Sequence, residues 1–144
     1  MLDNEKIMNV ALNEAKKSLK TKDVPVGAVI VYKNRIISKA HNNKNIKKCC
    51  INHAEINAII LANKKLKNER LDDCVLYVTM EPCQMCMSVI IESKIKKIVY
   101  GIKNKNNIHN LLLTNCEKVE IQNNVLKNDI EKMMKNFFEE IRNK

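Results

Sequence analysis

Cys74-Val75-Leu76-Tyr77-Val78-Thr79-Met80-Glu81-Pro82-Cys83-Gln84-Met85-Cys86 is the stretch on which the fold turns. Residues 74–79 are apolar, aromatic or β-branched without a break, the pattern of a strand covered on both faces. Pro82 then opens a helix through about Ser93, because proline's fixed φ and missing N–H suit the first helical turn. Cys83 and Cys86 lie three apart, so their thiols share one face of that helix. They also fall in its first turn, where unpaired N–H groups and the helix dipole favour thiolate over thiol.

Upstream, His53-Ala54-Glu55 starts another helix, 53–66. It is apolar nearly all round (Ile56, Ala58, Ile59, Ile60, Leu61), which predicts burial between layers. If the 74–79 strand lies beside it, both helix starts point into one pocket. Nearer the N-terminus, residues 4–20 read as an amphipathic helix carrying Ile7, Val10, Ala11, Ala15 and Leu19 at helical spacing. Val24-Pro25-Val26-Gly27 breaks it. Residues 28–32 and 35–40 form a hairpin with Lys33-Asn34 as its two-residue turn. The first of these strands is apolar throughout, hence central; residues 42–52 are a polar loop.

Downstream, Ile98-Val99-Tyr100 reads as a strand ending at Gly101. Residues 102–118 are polar and show no clear period, and Val119-Glu120-Ile121 is a short strand. A last helix starts near Asn128 and carries Ile130, Met133, Met134, Phe137, Phe138 and Ile141 on one core-facing stripe. Helices alternating with strands give an α/β sandwich.

Length and composition fit one domain spanning 1–144, with 45% apolar and 29% charged residues marking a soluble globular chain. No apolar run is long enough for a membrane span, and Met1-Leu2-Asp3-Asn4-Glu5 is polar, with no signal-peptide core, so a cytoplasmic location is expected. Of six cysteines, Cys83 and Cys86 have metal-ligand spacing, and Cys74 and Cys116 read as small buried thiols. The formal charge of +10 suits an anionic partner. Lysine richness has a second source, however. With 23 Lys against 3 Arg, 21 Asn, 18 Ile and 2 Gly, the chain favours residues with AT-rich codons.

One imidazole and two thiolates hold a zinc ion and leave a fourth position open, the catalytic pattern, whereas structural sites close with four protein ligands. Zinc lowers the pKa of its water to roughly 7. Glu55 is then placed to carry the water's proton to a leaving group. It lies too close to His53 in sequence to share the same ion comfortably. Taken singly, His53 could be a helix cap, and Cys83-x-x-Cys86 half of a structural zinc site or a redox pair. The two motifs in order, each before an apolar helix, favour the open catalytic site over both.

That pair of motifs resembles the signature of the zinc-dependent nucleobase deaminases. Within them the chain is most similar to the tRNA-specific adenosine deaminases, which convert the wobble adenosine to inosine. The likeness extends through Asp23-Val24-Pro25-Val26-Gly27-Ala28-Val29-Ile30-Val31 and Leu76-Tyr77-Val78-Thr79-Met80-Glu81-Pro82-Cys83, covering about residues 5–142. The resemblance implies a three-layer α/β/α sandwich: a five-stranded mixed sheet with helices on both faces, assembled as a homodimer. It implies zinc held by His53, Cys83 and Cys86, with Glu55 as proton shuttle in the attack of water on C6 of adenine. It implies that Asn42, otherwise a plain loop residue, hydrogen-bonds the base, and that Val26 and the backbone of Ala54 line the base pocket.

The chain departs from the family in three places. Cys49-Cys50-Ile51-Asn52 stands where Asp-Pro and a small residue are frequent. The 103–110 loop has no glycine, and Asn104 replaces a common Asp, which changes the contact offered to phosphate and sugar. Glu139-Glu140 follows the paired Phe137-Phe138 where basic residues are usual. The leading expectation is a deaminase acting on a tRNA anticodon stem-loop, whose unpaired base can enter a pocket without breaking a duplex. The alternatives are a deaminase of a free base, nucleoside or nucleotide (cytosine, cytidine, deoxycytidylate or guanine), and a non-catalytic zinc-dependent RNA-binding subunit paired with a related chain. Glu55 argues against the last, since a structural site has no use for that carboxylate.

Overall fold

The structure, a computed structural model, describes residues 3–107 and 119–143. Five strands form one mixed sheet in the order β2-β1-β3-β4-β5: β1 Gly27–Tyr32, β2 Arg35–His41, β3 Cys74–Met80, β4 Lys97–Ile102 and β5 Glu120–Gln122. β1 pairs antiparallel with β2 and β3, while β3–β4 and β4–β5 are parallel. Helices α1 (Asn4–Lys17), α2 (Lys44–Lys47), α3 (Ala54–Leu66), α4 (Gln84–Glu92) and α5 (Lys127–Arg142) complete the described elements, with a 3-10 turn at Ser18–Thr21.

The inner strands β1, β3 and β4 are apolar almost throughout, Thr79 and Lys97 excepted, because both their faces are covered. Ala28, Ile30, Leu76, Val78, Ile98 and Tyr100 meet Ala58, Ile59 and Ala62 of α3 and Met87 and Ile90 of α4. The alternate residues Val29, Val31, Tyr77 and Val99 meet Ile7, Met8, Ala11 and Leu12 of α1 and Ile130 and Met134 of α5. This is the three-layer α/β/α sandwich with a five-stranded mixed sheet. β1 is an interior strand, and β3 is the middle one.

The hairpin turn is as expected: Lys33 (φ 48°) and Asn34 (φ 61°) both adopt the left-handed conformation of a type I′ turn, which matches strand twist. Both glycines mark close approaches. A Cβ on Gly27 would strike the Ala11 carbonyl oxygen and come to 2.6 Å from the Ala15 nitrogen, so α1 sits on β1 backbone to backbone. A Cβ on Gly101 would meet the Ile130 side chain and lie 2.8 Å from the Thr79 carbonyl.

Several expectations need correction. α3 is not buried all round: Ile60 and Leu61 are each 46% exposed, because they point away from the face that Ala58, Ile59 and Ala62 lay on the sheet. Pro82 stands outside its helix, which begins at Gln84 with Cys83 as N-cap in extended conformation. Residues 42–52 are not wholly loop, since Lys44–Lys47 make one helical turn. β4 runs on through Gly101 to Ile102. Leu19 lies in the 3-10 turn and is exposed, and Phe138 and Ile141 fall off the buried stripe of α5. Cys74 is buried as expected, whereas Cys116 and residues 108–110 lie outside the described residues.

Candidate active site

Antiparallel β1 and parallel β4 bring the start of β1 and the ends of β2, β3 and β4 to one end of the sheet. Ligands in open α/β sheets gather outside the carboxyl ends of the strands. Here that end also receives the starts of α3 and α4. His53 and Cys83 are the N-cap residues of these two helices. Their carbonyls accept the first helical bonds, from Asn57 N–H (3.0 Å) and Met87 N–H (2.8 Å). Neither side chain caps its helix, so both are free to turn toward each other.

His53 Nδ1 lies 3.8 Å from Cys83 Sγ and 3.5 Å from Cys86 Sγ. All three donor atoms fall within 4.8 Å of one another, with Cys86 fully buried and the other two half-buried. Zinc bonds of about 2.3 Å to sulfur and about 2.0 Å to nitrogen set tetrahedral N···S edges of about 3.5 Å. The observed spacings match, and one nitrogen with two sulfurs is a zinc-type donor set, so the residues fit that ion. Both helix dipoles point their positive ends at the cluster. Cys83 is the acidic thiol: hydrogen bonds with Cys86 and then with His53 bring it down to about 3. The same bond with Cys83, together with burial, pushes Cys86 up. The hydrogen bond to Cys83 raises His53, against the opposing effect of burial.

Glu55, one residue into α3 beyond Ala54, is 4% exposed. Burial raises its carboxyl to about 7, against the opposing pull of its own backbone hydrogen bond. Such a value suits a group that both takes and gives a proton near neutrality.

The remaining candidates lie on segments that meet at this end of the sheet. Asn42 Oδ1 accepts from the Ala54 N–H (2.7 Å) and its Nδ2 donates to the Val24 carbonyl (3.0 Å), so the residue fixes the start of α3 to the segment before β1. One amide hydrogen is left over. Val26 and Ala54 are buried in the core on the α3 side of the sheet. Asn104 is held in its own loop: its N–H donates to Glu81 Oε1 (3.1 Å) and its Oδ1 accepts from the Asn106 N–H (3.0 Å). Cys49 is half-buried and Cys50 exposed, on the turn that leads into His53.

Sequence reading missed three residues that hold this end together. Asp23 is buried, and its carboxylate accepts from the Asn45 N–H (3.0 Å) and the Thr21 hydroxyl (2.7 Å). Asn107 Nδ2 donates to the Pro82 carbonyl (2.8 Å), tying the loop after β4 to the residue before Cys83. Asn57 makes four approaches through one amide. A lone polar residue within apolar Ile56-Asn57-Ala58-Ile59 was the available signal for the last.

A three-layer sandwich that joins two helix starts, a His-Cys-Cys cluster and a buried carboxylate at one sheet end is the scaffold of a nucleobase deaminase. The chain belongs to the MafB19-like deaminase family, whose profile matches residues 2–142. Its relatives include a protein named tRNA-specific adenosine deaminase from Bacillus subtilis, 36% identical over 151 residues, covering 100% of this chain and 94% of that one. Another of the same name, from Buchnera aphidicola subsp. Baizongia pistaciae, is 39% identical and covers 96% and 90%. Among solved structures, one from work on A-to-I editing by tRNA:A34 deaminases superposes with a TM-score of 0.81 at 29% identity, covering 87% of this chain and 96% of that one.

Proposed function

We propose that residues 1–144 act as a single zinc-dependent deaminase domain that converts adenosine to inosine at the wobble position of a tRNA anticodon loop. The observation that carries this reading is the His53-Cys83-Cys86 cluster with buried Glu55 beside it, in a chain whose relatives bear the name tRNA-specific adenosine deaminase. His53, Cys83 and Cys86 would hold one zinc ion. That ion supplies Lewis acidity, which lowers the pKa of water to about 7. Glu55 takes a proton from the attacking water at its carboxylate and delivers it to the departing amine. Water adds its oxygen at C6, the C6–N bond breaks and ammonia leaves.

Asn42 offers its remaining Nδ2 hydrogen to the base, with Val26 and the backbone of Ala54 as neighbouring walls. Asn104, on the loop beside Pro82, takes the sugar side. Among the described residues no helix is long and apolar enough to cross a membrane, and we assign the protein to the cytoplasm with its tRNA substrate. We also propose a homodimer, with pairing to a related chain as the other possibility. Its support is Ile60 and Leu61, adjacent large apolar side chains left exposed on α3.

The test is incubation of purified protein with an adenosine-34 anticodon stem-loop, followed by nucleoside analysis. Inosine at that position is expected. Ammonia release from free cytosine, cytidine or guanine with no inosine in any stem-loop would overturn the assignment.

A further inference from the structure

Between β2 and α3 the chain makes an excursion, residues 43–52, and comes back at His53. Its far side is pinned by Asp23, through the Asn45 N–H (3.0 Å), and by Asn45 Nδ2 on the carbonyls of Thr21 and Lys22 (3.2 Å each). Its two ends are joined by the Asn43 N–H on the Asn52 carbonyl (3.1 Å). Asn57 sits over that junction. Its Nδ2 donates to the His41 carbonyl (3.0 Å) and to Asn43 Oδ1 (2.9 Å), with a longer approach to the Asn52 carbonyl (3.4 Å). Its Oδ1 accepts from Asn52 Nδ2 (2.9 Å). Both faces of one amide are therefore used, and they hold the last residue of β2, the first residue of the excursion and its last.

We infer that Asn57 is the positioning residue for His53. The inference rests on the reading of His53 as a metal donor. His53 follows Asn52 directly, and its carbonyl accepts from the Asn57 N–H (3.0 Å), so imidazole and amide ride on the same helical turn. His53 has no side-chain cap bond to fix it, because its ring is turned to Cys83 and Cys86. The amide supplies the missing constraint. It closes the excursion so that the imidazole arrives already placed against two thiols that α4 fixes independently. With the amide removed, the junction keeps the Asn43 N–H bond to the Asn52 carbonyl and the Ala54 N–H bond to Asn42 but loses the contacts that tie His41, Asn43 and Asn52 to α3, so it loosens and binding a metal has to order it. Preorganisation of this kind is worth affinity, because the ordering cost is met before the ligand arrives.

The test uses the full chain and measures zinc affinity by chelator competition. Cobalt(II) is substituted as a spectroscopic reporter of donor geometry. Asn57→Leu, which keeps the branched heavy-atom outline and loses every side-chain hydrogen bond, is expected to bind zinc about 10- to 100-fold more weakly, as partners that orient metal ligands commonly do. Its cobalt spectrum should shift, and excess zinc should restore deamination. Asn52→Ala, which removes one of the bonds, should move affinity the same way by less. Ala62→Gly, a destabilising change on the same helix far from the junction, should lower Tm and leave zinc affinity as in the wild type. If Asn57→Leu does not fold, Asn57→Ser takes its place. Wild-type zinc affinity and cobalt spectrum in the Asn57 variant, or an equal loss of affinity in Ala62→Gly, would sink the positioning role. A wild-type chain that takes up no zinc would instead overturn the metal reading beneath it.

Discussion

Glu55 is an acid in an apolar place, and its chemistry follows from that. Burial lifts its carboxyl to about 7 from an ordinary 4.5. In metal-stripped protein the folded state therefore holds a proton between those values that the unfolded chain has released. The sign follows directly: stability contributed by this group is present below pH 4.5 and is lost as pH rises to about 7. A shift of that size corresponds to roughly 3 kcal/mol. Denaturant titrations of stripped protein across pH 4.5–7 should show the decline, and Glu55→Gln should flatten it. In zinc-loaded protein, Glu55→Ala should keep stoichiometric metal and lose about 10²- to 10⁴-fold or more in turnover. A fully active Glu55→Ala protein would rule out the proton-shuttle role. Cys86→Ala should lose the metal, read by zinc analysis, and some stability with it, since the side chain is fully buried. The donors were legible because their residue types and spacing are chemically restrictive. Asn57 was not, because its role depends on where the 43–52 excursion closes, which no local pattern encodes.

At the scale of elements, what the sequence shows well is period, and what it shows poorly is the end of an element and the side on which a neighbour lies. β1, β3 and the hairpin turn were legible from continuous apolar runs and a two-residue break. At Ile60 and Leu61 the apolar pattern of α3 overstates its burial, because an apolar residue does not report whether anything covers it. The sequence reading sets Pro82 two positions too far in, since proline suits both the first helical position and the segment before the cap. Two predictions belong here. Lys33 and Asn34 hold left-handed backbone without a glycine between them. Lys33→Gly should therefore relieve about 1 kcal/mol and raise Tm by about 3 °C, with zinc content unchanged, because the turn lies at the opposite end of β1 from the site. Gly27→Ala should do the reverse. The new methyl group meets the backbone of α1 rather than a movable side chain, so a loss of about 3 kcal/mol or more is expected by calorimetry.

For the whole molecule the charge of +10 has two sources to separate, an anionic partner and codon usage, and salt dependence separates them. If the lysines engage an RNA backbone, KM for a stem-loop should rise with salt, with a log–log slope of about 0.7 for each phosphate neutralised. Deamination of an isolated nucleoside should stay flat over the same range. A flat response for both would assign the lysines to codon usage. The order of assembly follows from a different feature. His53 and Cys83 are the N-cap residues of helices whose other faces are already held: α3 by Ala58, Ile59 and Ala62, α4 by Met87 and Ile90. The packing that brings the donors together is thus a property of the hydrophobic core, unlike small zinc modules in which the ion is the core. The chain should be able to fold first and be loaded afterwards. In a zinc-starved cell it would then accumulate as a folded reserve, ready to become active within one encounter with the metal and with no need for new synthesis.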